Sequence, residues 1–170
     1  FQSVQSLDVL TINEDVKSKE KLLEILWKAI EYFPRGIWGD IEYLGSVTVK
    51  HDLKIKAKEN VYKAFIFENL LRKIKELKTL LRTFDPLLGI TSDPVVAVYH
   101  QFEMGRLERI INLVHDYVSR DVGIISSFKI DEEEDFSKVI AHGLGHNQGL
   151  RHHNEPVDLM YAGLLDSRPI

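Results

Sequence analysis

Apolar residues in this chain recur in two rhythms. "SLDVLTI" (Ser6–Ile12) is short and β-branched and predicts an N-terminal strand. Next, Leu22, Leu23, Leu26, Trp27 and Ile30 fall at three- and four-residue steps. That is the stripe of a helix packing one face. Pro34, Gly36 and Gly39 punctuate its exit. "DIEYLGSVTVK" (Asp40–Lys50) predicts a second strand, and a basic stretch follows over Lys50–Lys58.

The longest predicted helix runs from Asn60 to Phe84, with Phe67, Leu70, Ile74, Leu77 and Leu81 on its apolar side. Asp85-Pro86 ends it, since a residue before proline avoids the helical region. Leu87–Thr91 and Val95–Tyr99 are short apolar runs around the Asp93-Pro94 break. Leu107, Ile110, Ile111, Val114 and Val118 then predict a helix over residues 105–120, and Gly123–Ile130 predicts another strand. The acidic run Asp131–Asp135 precedes a final helix, where carboxylates complement the helix dipole. Five carboxylates in a row lack the spacing of a calcium loop. Strands alternating with helices predict one α/β domain, with a histidine cluster on its last helix.

The 170 residues suffice for one real core. A formal net charge of -4 disfavours a nucleic-acid partner, which needs a basic surface. No apolar run reaches the roughly 18 residues of a membrane span, and no signal-peptide pattern opens the chain. The expectation is therefore a cytoplasmic protein without membrane contact. Cysteine is absent, so disulfides and thiolate metal sites are excluded. A metal here must take histidine, carboxylate or carbonyl ligands.

"VIAHGLGHNQGLRHH" (Val139–His153) carries such ligands. His142 and His146 are four apart, which on a helix puts both imidazoles on one face. Gly149 supplies a residue that readily adopts the left-handed turn at a helix end. The turn brings His152 back as a third ligand. Three neutral imidazoles leave a fourth zinc position open, as in catalytic sites. His51, His100 and His115 have no spacing relation to the cluster.

"HGLGHNQGLRHH" resembles the zinc signature of the metzincins. It most resembles archaemetzincins, whose motif runs H-E-L-G-H-x-x-G-L-x-H-C. Gly145, Gly149, Leu150 and His152 match it, and "VDLMY" puts Met160 where the family has its Met-turn methionine. The segment from Leu87 to Val114 is similar to what precedes the family's zinc helix. The resemblance implies an α/β fold of the α+β zincin-like kind, over residues 1–170 as one compact metallopeptidase domain. Its mixed twisted sheet would carry packed helices, and the zinc helix would lead into a Met-turn. One zinc would sit on His142, His146 and His152, with Met160 beneath it, and a peptide or protein would be the ligand.

This sequence departs from the pattern at consequential places. Gly143 stands where the family has the general-base glutamate. Such a base is worth roughly 10²–10⁴-fold, and glycine can neither accept nor deliver a proton. His153 and Asp158 replace two family cysteines, so a second, structural zinc is not expected. The expected function is a zinc-binding archaemetzincin-type domain with absent or very weak peptidase activity. The alternatives are an active peptidase with a substitute base and a metal-free interaction domain with relic histidines. Glu155, Asp158 and Tyr161 are the nearest groups in sequence for a substitute base.

Overall fold

The computed structural model describes residues 5–14 and 19–148. In chain order the elements are β1 (Gln5–Ile12), α1 (Lys19–Ile30), β2 (Trp38–Val47), β3 (Leu53–Ala57), β4 (Asn60–Ile66) and α2 (Phe67–Leu81). They continue with β5 (Leu87–Thr91), β6 (Val95–Glu103), β7 (Arg106–Leu113), β8 (Asp116–Val118), β9 (Val122–Ser126) and α3 (Glu133–Asn147).

Both β5 and β9 are buried at every position. Continuous apolar burial of this kind belongs to central parallel strands covered on both faces. They lie in a five-stranded sheet of order β2-β1-β5-β9-β8, parallel except for β8. On one face, Leu7, Val9, Leu88 and Ile125 meet Leu22 and Leu26 of α1 and Val139, Ile140 and Leu144 of α3. On the other, Leu10, Ile12, Leu87 and Ile124 meet Leu70 and Ile74 of α2. Contact is closest at Gly89, where a Cβ would overlap Ile74 Cδ1.

The remaining strands form a second sheet of order β3-β4-β6-β7. Its own small core contains Ile55, Ala64, Val96, Leu113 and Phe128. The α/β class expected from the sequence is the one observed, with the strands divided between two sheets rather than one.

Two predicted helices are corrected. Residues 60–66 are strand, and the helix expected from Asn60 begins only at Phe67. Residues 60–64 pair with β3 in antiparallel register, and Phe65 and Ile66 pair with β6 in parallel. Asp52 marks the boundary, its carboxylate accepting from Ile66 N at 2.7 Å and Asn69 Nδ2 at 3.2 Å. Residues 105–120 are not a helix either. Met104 and Gly105, at φ 52° and 76°, make the two-residue turn of a hairpin, and β7 pairs with β6 over eight residues. The stripe of Leu107, Ile110 and Ile111 fits a helix by spacing, but cross-strand pairing and β-branched content prevail. Smaller shifts occur elsewhere: β2 stops at Val47, β9 stops at Ser126, and β3 lies within the basic stretch. In α1, Trp27 is exposed, and Ile25 and Ala29 join Leu22 and Leu26 inside.

Candidate metal centre

The helix that carries the histidines is held firmly before it reaches them. Its first turn bears Glu133, Glu134 and Asp135, as the dipole favours. Glu133 pairs with Lys21 at 2.6 Å and faces Lys28 at 3.8 Å, tying α3 to α1. Ser137 Oγ donates to Ile25 O at 3.3 Å. At the far end Asn147 Nδ2 donates to Ser119 O and Arg120 O, at 2.7 and 3.1 Å. The helix is thus anchored to the turn between β8 and β9.

His142 and His146 lie one turn apart on α3 with ring centroids 4.8 Å apart and planes at 89°. His142 is buried and His146 half-buried. The Nδ1–H of His142 donates to Asp116 Oδ2 at 2.7 Å, and both side chains are about nine-tenths buried. A carboxylate on Nδ1 fixes the tautomer and leaves Nε2 as the nitrogen able to bind a metal. The sequence pattern did not reveal Asp116, because residues 105–120 read as a helix there. Its signal is a lone carboxylate in the β-branched run "VHDYV".

Gly143 is buried against the same strand. A Cβ there would lie 2.7 Å from Val118 Cγ2, 3.3 Å from Ile125 Cδ1 and 3.5 Å from Asp116 Cβ. Glycine therefore permits α3 to approach β8 more closely than a side chain allows. The position expected to hold a general base faces Asp116 and Val118.

Gly149, His152 and Met160 lie outside the described residues, as do His153, Glu155, Asp158 and Tyr161. Among the described residues no three His, Asp or Glu side chains gather as a metal site. The donor chemistry of the described pair suits zinc: two imidazoles on one helix face, one oriented by a carboxylate. His51 lies elsewhere, hydrogen-bonded to Asp93 at 2.7 Å, and His115 Nδ1 donates to Ser126 O at 3.2 Å. His100 is exposed on β6. No described helix is long and apolar enough to cross a membrane.

These features define a mixed α/β fold whose last described helix presents an H-x-x-x-H pair beside an edge strand. Archaemetzincin from Methanopyrus kandleri has this fold. The two superpose with a TM-score of 0.61 at 17% identity, over 93% of this chain and 81% of that one. Metalloproteinase-II from Bacteroides fragilis aligns with a TM-score of 0.45 at 12% identity, over 94% of this chain and 46% of that one. No family model and no curated protein sequence matches the chain.

Proposed function

We propose that the chain is a zinc-binding domain of archaemetzincin type whose peptide hydrolysis is absent or very weak. His142, His146 and His152 hold the ion. The observation that carries this reading is the pair His142–His146 on one helix face, with His142 oriented by Asp116. A bound zinc supplies Lewis acidity and lowers the pKa of a ligated water.

The missing function is proton transfer. Gly143 offers no acid–base group, and Asp116 is engaged in orienting the His142 ring. A peptide is the ligand that best suits the surroundings. β8 is the last strand of its sheet, with no further strand beside it among the described residues. An extended peptide adds to such an edge through main-chain hydrogen bonds. Metal analysis combined with a peptide-cleavage assay tests the proposal. Stoichiometric zinc without chelator-sensitive cleavage is the expected result. Robust cleavage abolished by a chelator overturns the inactive reading, and failure to retain zinc overturns the metal itself.

A further inference from the structure

An open groove of about 810 Å³ lies where β1 and β2 end. That volume is within the rough 300–1,000 Å³ range of small-molecule sites. In open α/β sheets, ligands bind outside the carboxyl ends of the strands. Lys50, His51, Lys54 and Lys63 line this groove, and α3 contributes nothing to it.

The basic groups are concentrated there against the trend of the chain. Residues 50–66 carry five lysines against two acids, Asp52 and Glu59, although the formal net charge of the chain is -4. Lys54 and Lys63 are direct cross-strand partners in the β3–β4 ladder. Like charges in that relation destabilise a sheet. Neither makes an ion pair among the described residues. The two carboxylates of the groove, Glu14 and Asp52, keep their charge but are each held by neutral N–H donors. Glu14 Oε1 accepts from Ser92 N at 2.5 Å, and Asp52 accepts from Ile66 N and Asn69 Nδ2.

The floor is also preorganised. His51 Nε2–H donates to Asp93 Oδ2 at 2.7 Å, while its ring stacks on Phe65 with centroids 4.5 Å apart. Asn13, in the left-handed conformation at φ 58°, clamps Val49 through both its backbone groups, at 2.8 and 2.9 Å. The segment carrying Lys50 and His51 is thereby pinned over the end of β1. The wall so held carries Lys50, Lys54 and Lys63, which make no ion pair among the described residues.

We infer that this groove binds a small phosphorylated ligand, its phosphate oxygens held by Lys50, Lys54 and Lys63. Three ammonium groups exceed the need of one carboxylate and suit a phosphate dianion with three terminal oxygens. The site is independent of the metal.

The test is titration of the full chain with inorganic phosphate and with glycerol phosphate. Succinate is the dicarboxylate comparison, and sodium chloride matches the ionic strength. The K54Q/K63Q double variant and the K73Q variant, altered on α2, are titrated alongside. Both phosphates should bind saturably and more tightly than succinate. The double variant should lose about tenfold or more in affinity, and K73Q should lose nothing. Without ligand, the double variant should melt no lower than the parent, because an unfavourable cross-strand pair has been removed. Absence of saturable phosphate binding, or equal affinity in the double variant, overturns the site. Succinate binding as tightly as phosphate overturns the ligand class.

Discussion

Asp116 Oδ2 lies 2.7 Å from His142 Nδ1, and this contact joins the edge strand β8 to the helix α3. Twenty-six residues separate the two in sequence. A positioned imidazole is a better metal ligand than a free one, because its tautomer and rotamer are already set. The edge strand is therefore part of the proposed metal centre.

Asp116→Asn keeps the shape and removes the charge. Zinc affinity, measured by competition with a chromogenic chelator, should fall about 10–100-fold. Unchanged affinity would show that the carboxylate plays no part in holding the ring.

Gly143→Ala sets two effects against each other. Alanine gains about 0.8–1 kcal/mol over glycine in a helix interior. Its Cβ would meet Val118 Cγ2 at 2.7 Å, and overpacking a tight core costs about 1–3 kcal/mol. The expected net effect is destabilisation of up to about 2 kcal/mol in urea unfolding. Val118→Ala should relieve part of it, seen as coupling in a double-mutant cycle. A plain gain in stability would contradict the close approach of α3 to β8. For the same reason Gly143→Glu alone should not restore efficient peptide cleavage.

Asp8 is buried on β1, facing the α2 side. Burial pushes its carboxyl pKa up, and repulsion from Asp85 and Glu42 adds to this against the opposing pull of Lys78. The folded state thus binds the proton more tightly than the unfolded chain. Its stability contribution is complete below the unfolded value and is lost as pH rises through the raised folded value. Asp8→Asn should be more stable than the parent at pH 7, with the difference shrinking towards pH 4. Urea melts at both pH values decide it, and a variant less stable at pH 7 would contradict the assignment.

The carboxylate of Asp52 ties down the start of α2, accepting from Ile66 N and Asn69 Nδ2. Asp52→Ala should cost about 1 kcal/mol, the usual net value of a lost hydrogen bond. Amide exchange should quicken at Ile66 in particular. No change in either would place the start of α2 elsewhere.

Much of the fold is legible from local pattern. β1, α1, β5 and α3 are recovered because their periodicity and burial agree. Residues 60–66 mislead because they run without a break into the helical stripe that begins at Phe67, and residues 106–113 because Leu107, Ile110 and Ile111 fall at three- and four-residue steps. Two local signals point to the correct answer: the β-branched content and the turn at Met104-Gly105. The histidine pair of the candidate site follows from helical spacing alone. Asp116 does not, because its role exists only once β8 is laid against α3. The link between His51 and Asp93 spans 42 positions and depends on strand order in the same way.

The proposed zinc ion is held by His142, His146 and His152. X-ray absorption spectroscopy of the zinc-loaded protein tests it most directly, with the H142A, H146A and H152A variants for comparison. The expected result is one zinc per chain with three imidazole nitrogens at about 2.0–2.1 Å and loss of tight binding in each variant. A protein that retains no zinc, or binds it equally well without these histidines, would contradict it.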